Sequence, residues 1–184
     1  MIAAPVDPPS IPVVAERGGT QLRTPLPILI VDSREQDPLD FRPFSNWFAR
    51  IERRALPVGD YSIEGMENEC AVERKSLPDL VHSLTVDRAV FIKRLLLMRE
   101  MPDALLLVDA PFSQVKATYE FSQANPNQIT QSLIAIMTGP RVPFVPIETH
   151  ELAAEFVASF LYQAFARRWL DQNGFGRCLS DNDL

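Results

Sequence analysis

The sequence predicts an α/β fold in which helices flank a central mixed sheet. Short apolar runs, such as Ile28–Val31 and Ala104–Val108, are typical of buried strands. Longer segments repeat apolar residues at intervals of three and four, as Phe91, Leu95 and Met98 do, and this spacing predicts helices. The two kinds of segment alternate through the second half of the chain, an order that is typical of α/β proteins.

The first half of the chain contains the strands that we expect to carry acidic residues. The run at residues 28–31 ends at Asp32 and is followed by a loop, and residues 44–54 are interpreted as a short helix. The polar segment 64–69, with Gly65 and Asn68, favours a hairpin loop. We expect that hairpin to join two antiparallel strands, residues 60–63 and 70–75.

The second half of the chain has clearer helix boundaries. Asn125 and Pro126 form a cap followed by a first-turn proline, which predicts a helix that ends before Gly139. Pro143 and Pro146 cannot donate ladder hydrogen bonds, so the strand that contains them is expected at a sheet edge. The remaining predictions are helices at residues 77–84 and 87–101, the edge strand at 142–147, and a last helix from Thr149 to about Gln172.

The composition fits one soluble domain with a flexible leader. Of 184 residues, 46% are apolar and 23% are charged, and no segment is long and apolar enough to span a membrane, so we expect a cytoplasmic protein that does not bind membranes. Six prolines among residues 1–27 predict a flexible leader, with the domain at 28–172 and a tail at 173–184. The 24 acidic residues outnumber the 18 basic ones, which argues against tight DNA binding by the chain alone and favours a targeting protein partner.

The segment Val72–Asp79 carries the strongest chemical signal. Side chains alternate along a strand, so Glu73 and Lys75 should lie on one face and Arg74 on the other. Asp60 from the neighbouring strand and Asp32 from the end of the first strand would bring three carboxylates beside one lysine. Hard oxygen ligands of this kind suit Mg²⁺ or Mn²⁺, which assist phosphodiester hydrolysis.

Each of these signals also has a structural interpretation. A glutamate and a lysine two residues apart occur on many solvated strand faces. Arg34 and Glu35 are compatible with a simple surface ion pair. His82 and His150 have no partners at metal-ligand spacing, so both are interpreted as structural or solvated.

Three motifs, read together, resemble the nuclease domain of the XPF family of structure-specific endonucleases. They are residues 31–35 (VDSRE), 59–61 (GDY) and 73–75 (ERK) with Asp79, followed by Arg88. The resemblance implies a restriction-endonuclease-like core and a compact member, like those of bacteria or phages, without the helix-hairpin-helix module that many members carry. It departs at Asp109, where members often have Glu-Gly, so a role for this residue stays open.

The resemblance also implies the site residues and their roles. Asp32, Asp60, Glu73 and Lys75 are the expected catalytic residues, and the three acids are the expected ligands of Mg²⁺ or Mn²⁺. Arg34 would contact substrate phosphate, since guanidinium groups bind phosphate in a bidentate manner. The expected supporting residues are Glu35, Arg74, Asp79 and Arg88.

The expected activity is metal-dependent endonucleolytic hydrolysis of DNA, at branches or junctions, in repair or recombination. The alternative is a catalytically silent subunit that binds DNA or acts as a scaffold. Degenerate partners in such a family lose the acids or the lysine, whereas this chain keeps all four residues, which favours the enzyme. Action on RNA or on plain single strands stays open. Members of the family also pair through the last part of this domain, so a homodimer is expected.

Overall fold

The computed structural model describes residues 24–174, in which six strands form one mixed sheet. The order across the sheet is β2-β1-β3-β4-β5-β6, and β3 pairs antiparallel with both β1 and β4, whereas the other neighbours are parallel. The predicted α/β class with a mixed sheet is confirmed, as is the antiparallel hairpin. The strands are β1 (Ile28–Asp32), β2 (Arg50–Arg54), β3 (Tyr61–Ile63), β4 (Cys70–Ser76), β5 (Asp103–Asp109) and β6 (Phe144–Pro146).

Five α-helices follow or separate these strands within residues 24–174, and side chains cap the starts of three of them. The side chains of Ser76, Asn125 and Thr149 accept hydrogen bonds from backbone N–H groups in the first turns of their helices. The two caps predicted from sequence, Asn125 and Thr149, are therefore confirmed. The helices are α1 (Leu77–Thr85), α2 (Arg88–Met98), α3 (Phe112–Val115), α4 (Pro126–Thr138) and α5 (His150–Gln172).

Both faces of the sheet are covered, and the alternation of side chains along β4 decides which residues reach which face. Val72 packs in the core formed with α5, whereas Ala71 packs in the core formed with α1, α2 and α4. Glu73 therefore lies on the α1 and α2 face, and Arg74 lies on the α5 face. Among residues 24–174, no helix is long and apolar enough to cross a membrane.

The helix predicted at residues 44–54 is wrong. The chain forms a 3-10 helix at Arg42–Trp47 and then the edge strand β2, which pairs parallel with β1. Apart from Ile51, β2 consists of arginine and glutamate, which have good helix propensity and give no alternating apolar pattern. Pairing with a buried strand outweighs that propensity, and charged residues are common on exposed sheet edges.

The proline-bearing strand lies at the other edge of the sheet, as predicted, because β6 pairs only with β5 among the described strands. The predicted leader at 1–27 and tail at 173–184 fall largely outside the described residues, in the ranges 1–23 and 175–184. The division of the chain at these residues stays a prediction.

Candidate active site

Backbone hydrogen bonds bring the three predicted acid-bearing segments together at one end of the sheet. The Asp32 N–H donates to the Asp60 carbonyl at 2.8 Å, and the Asp60 N–H donates to the Val72 carbonyl at 2.7 Å. The Arg74 N–H in turn donates to Asp60 Oδ2 at 2.7 Å. Gly59 permits this close approach with a φ of +80°, because an added Cβ would lie 3.0 Å from the Val72 oxygen. These backbone hydrogen bonds explain how three motifs that are separate in the sequence meet at one place.

A cavity of about 320 Å³ opens beside these segments and is lined mainly by charged groups. Its walls come from the end of β1, the turn before β3, the exposed end of β4, and the first two helices. Most of the predicted site residues border it. The charged residues around it are Asp32, Arg34, Glu35, Asp60, Lys75, Asp79 and Arg94.

Glu73 lies beneath this cavity with its side chain fully buried. Its Oε1 accepts from Lys75 Nζ at 2.8 Å and from Arg94 Nη1 at 2.7 Å. Its Oε2 is buried and has no hydrogen-bond partner within residues 24–174. An unpaired buried carboxylate oxygen costs free energy, so this atom is suited to receive a cation.

Asp60 is the second acid of this cluster, and its charge is disfavoured. Burial, followed by the negative charge of Glu73, raises the pKa of Asp60 from its ordinary value of 3.8 to about 7. The Arg74 N–H and the Lys75 ammonium act in the opposite direction. Two acids that repel each other in a half-buried site form a natural binding place for a divalent ion.

Asp32 is instead occupied by other partners. Oδ1 accepts from the Arg34 backbone N–H at 2.7 Å and from Nε at 2.9 Å, while Oδ2 accepts from Arg34 Nη2 at 2.6 Å and from the Leu56 N–H at 2.9 Å. The hydrogen bond from the Arg34 side chain lowers the pKa of Asp32 to about 2, so this acid stays ionised. The Arg34 side chain itself remains 68% exposed beside the cavity.

The predicted set of three carboxylate ligands is not gathered in this arrangement. Within residues 24–174, no group of three or more histidine, cysteine, aspartate or glutamate side chains is arranged to hold a metal ion. The reason for Asp32 is local, since both of its oxygens are held by neighbouring donors. Asp60 and Glu73 still fit a hard divalent ion, because Mg²⁺ is often bound by one or two carboxylates with water and substrate phosphate completing its shell.

Arg74 lies on the opposite face of β4, as the strand alternation predicts. Its guanidinium is buried and contacts Asp109 Oδ2 at 2.7 Å, the Asp37 carbonyl at 2.7 Å and Glu35 Oε1 at 3.8 Å. His150 Nδ1 lies 2.9 Å from the same Asp109 oxygen. This network links the loop after β1 to the end of β5 and the start of α5. Asp109 and His150 therefore have structural partners that the sequence did not indicate.

The last two predicted supporting residues lie on the helices. Asp79 lies in the first turn of α1, where its Oδ2 accepts from Oγ of the capping residue Ser76 at 2.6 Å, and it borders the cavity. Arg88 donates to the Leu84 carbonyl at 3.3 Å and to Ser132 Oγ at 2.9 Å, so it connects the end of α1 to α4. The arginine that α2 presents to Glu73 is Arg94, which sequence reasoning missed.

Comparisons with known proteins place the chain in a defined structural context. A family model described as ERCC4 domain matches residues 31–160, a range that includes every acid of the cavity and Lys75. No curated protein matches the chain in a sequence search.

Two solved structures resemble the fold. The XPF from Aeropyrum pernix gives a TM-score of 0.61 at 18% identity, over 75% of this chain and 61% of that one. The XPF from Aeropyrum pernix in complex with DNA gives 0.59 at 19% identity, over 77% of this chain and 66% of that one. The chain thus spans less than two thirds of either solved chain.

Proposed function

The chain belongs to the ERCC4 domain family, and from this membership we propose that it is a metal-dependent DNA endonuclease that acts on branched or junction-containing DNA. The observation that carries the proposal is the Glu73 carboxylate, which contacts Lys75 and Arg94 on the wall of an open cavity. One of its oxygens is held by these two cations, and the other is buried without a hydrogen-bond partner among the described residues. An unpaired buried carboxylate oxygen is unfavourable by itself. Its presence is explained if the oxygen binds a cation when substrate is present.

Asp60 and Glu73 would hold Mg²⁺ or Mn²⁺ through their carboxylate oxygens. A divalent ion at such a site neutralises substrate phosphate and lowers the pKa of the water that attacks phosphorus. The raised pKa of Asp60 supports this assignment, because a group that is reluctant to ionise beside Glu73 gains most from a nearby positive charge. We assign Asp32 to holding Arg34 in place.

Lys75 and Arg34 supply the positive charge that the chain itself brings to a phosphate. The Lys75 ammonium is held by Glu73 at 2.8 Å and borders the cavity, where it would stabilise the charge that develops on the phosphoryl oxygens. The Phe91 ring lies under the same ammonium, 5.7 Å from it. Arg34 is fixed in a bidentate pair with Asp32 and keeps an exposed surface toward the cavity for a second phosphate contact.

The supporting residues have separate tasks in this proposal. Arg74 would fix the loop that carries Arg34 and Glu35, because it joins that loop to the buried Asp109. Asp79 would hold the first turn of α1 against the cavity. The predicted homodimer, the targeting partner and the cytoplasmic location stay predictions.

The experiment compares wild type with Glu73→Gln and Lys75→Met on labelled duplex, fork, flap and single-stranded DNA and on single-stranded RNA. Each reaction contains Mg²⁺, Mn²⁺ or EDTA. We expect cleavage that needs the ion, is fastest on branched DNA, and falls by at least about 100-fold in both variants, the size expected for a lost electrostatic group. Lys116→Met is the matched control, because this lysine follows α3, contacts Asn127 and is not among the residues that line the cavity.

The outcomes separate the candidate functions. DNA binding without cleavage under every ion condition would support the catalytically silent subunit. Preferential cutting of RNA or of plain single strands would replace the proposed substrate. Equal cutting by wild type and both variants would refute the proposed site.

A further inference from the structure

Among the described residues that line the cavity, Arg94 is the one charged residue that none of the three sequence motifs contains. It lies on α2, two turns beyond the start of the helix, and its side chain is 43% exposed. Its Nη1 donates to the fully buried Glu73 Oε1 at 2.7 Å. The residue therefore has one end fixed in the interior of the site and the remainder of its guanidinium toward the cavity.

This geometry leaves donors for a second anion. A guanidinium has five N–H donors in a planar fork, and the contact with Glu73 uses a donor on one nitrogen. Glu73 already receives Lys75 on the same oxygen, so its single negative charge is met by two cations. The second cation is more than Glu73 needs for neutralisation, and it borders a cavity that is open to solvent.

We propose that Arg94 binds a backbone phosphate of the nucleic acid substrate, and that its contact with Glu73 fixes it in the orientation needed for this. The inference rests on the proposed function, which it deepens by adding a substrate-binding residue from α2. Arg34, which follows β1, also borders the cavity. Arg94 on α2 would therefore add a phosphate contact from a second element of the fold.

A purely structural role gives a different expectation. If Arg94 only neutralised Glu73, removing the charge of Glu73 would remove the need for Arg94. If Arg94 binds phosphate, its contribution to DNA affinity persists when Glu73 is neutral. A double-mutant cycle between the two residues separates these cases.

The test measures DNA binding against salt concentration for Arg94→Ala, made both in wild type and in a Glu73→Gln background. Wild type and Arg94→Ala are measured in EDTA to prevent cleavage, and the Glu73→Gln pair is measured in EDTA and in Mg²⁺. We expect Arg94→Ala to weaken binding about tenfold in both backgrounds, since a charge-assisted hydrogen bond is lost. The slope of log affinity against log salt should become less steep by about 0.9, as for one lost phosphate contact on duplex DNA.

Arg99→Ala is the matched control, because Arg99 caps the same helix, is about half exposed and pairs with Glu100 at 3.6 Å away from the cavity. It should leave the slope unchanged. Arg94→Lys should recover part of the affinity but not the bidentate contact. If Arg94→Ala fails to fold by circular dichroism, Arg94→Gln replaces it, since the amide can still donate to Glu73.

Each result bears on the inference separately from the proposed function. An unchanged slope in both backgrounds, or a loss that disappears with Glu73→Gln, overturns the role of Arg94 even if wild type cuts DNA. A lower slope in both backgrounds supports it even if wild type proves to be a binding subunit that does not cut. Absence of DNA binding both by wild type in EDTA and by Glu73→Gln in Mg²⁺ would overturn both.

Discussion

Replacing Asp60 with asparagine should stabilise the metal-free protein at about pH 8 and remove its response to divalent ions. Burial and the charge of Glu73 raise the pKa of Asp60 in the folded protein from 3.8 to about 7. In the unfolded chain the same carboxyl titrates near its ordinary value. Between these pH values the folded state keeps a proton that the unfolded state has lost, so the free energy of unfolding falls as pH rises toward 7 and changes no further above it.

The expected gain in the free energy of unfolding follows from the pKa shift of Asp60. About three pKa units correspond to about 4 kcal/mol at pH 8, and to less than half of that at pH 5. This is an upper limit for Asp60→Asn, because the amide oxygen accepts the Arg74 N–H less strongly than the carboxylate does. For a domain of this size, 1 kcal/mol changes Tm by roughly 2–4 °C, so we expect a rise of up to about 16 °C at pH 8.

The assay is urea and thermal denaturation of wild type and Asp60→Asn at about pH 5 and pH 8, in EDTA and in excess Mg²⁺. Ligand that binds only the folded state stabilises it, by about 2.7 kcal/mol at a hundredfold excess over Kd, and only wild type should gain this. Glu100→Gln, a change at an exposed acid just beyond the end of α2, is the control. The proposed repulsion between Asp60 and Glu73 would be refuted if Asp60→Asn raised the free energy of unfolding equally at both pH values, or lowered it at pH 8.

Two further predictions concern the support of the site. Gly59→Ala should destabilise the protein more than Gly65→Ala and also reduce cleavage, since both glycines have a φ of +80° but only at Gly59 would the new Cβ meet a backbone oxygen of β4, at 3.0 Å. Urea denaturation should give about 1–2 kcal/mol for Gly65→Ala, and equal losses would count against the close contact. Asp109→Asn should cost about 3 kcal/mol because it leaves the buried Arg74 guanidinium without its nearest carboxylate. Asp87→Asn, which breaks only an exposed pair, should cost less than about 1 kcal/mol in the same measurement.

The sequence was informative about the fold where a strand is buried on both faces or a helix has a cap. β5 is a continuous apolar run because its residues alternate between the cores on the two sides of the sheet. β1 is one because Leu29 and Val31 pack in the core formed with α5 and Ile30 is also buried. Asn125 and Thr149 mark helix starts because their side chains accept from backbone N–H groups there. β2 was predicted wrongly because it is not a buried apolar run. It lies at an edge of the sheet, and its only apolar residue is Ile51.

Within the site, the sequence likewise predicts relations between neighbouring residues better than contacts between distant ones. The relation between Glu73, Arg74 and Lys75 follows from strand alternation alone, so the sequence was enough to place them on opposite faces. Arg94 contacts Glu73 across 21 residues and His150 contacts Arg74 across 76, and no local pattern encodes such separations. The occupation of Asp32 by Arg34 is a local contact between residues two apart, but it depends on a side-chain conformation that the sequence does not specify.

The net acidity of the chain argued against DNA binding. The cavity also has more acids than cations, and this local excess leads to a different conclusion. Among the described residues, the charged groups of the cavity together with Glu73 comprise five acids and three cations, the latter being Arg34, Lys75 and Arg94. When Asp60 is ionised, the excess of two negative charges equals the charge of one divalent ion. Under the proposed function, a DNA phosphate would meet net repulsion without that ion, and the ion would cancel this repulsion while three cations remained in place to contact the backbone. The proposal therefore predicts weak affinity in the absence of metal, because the charge that would bind the ion is the same charge that would otherwise exclude the substrate.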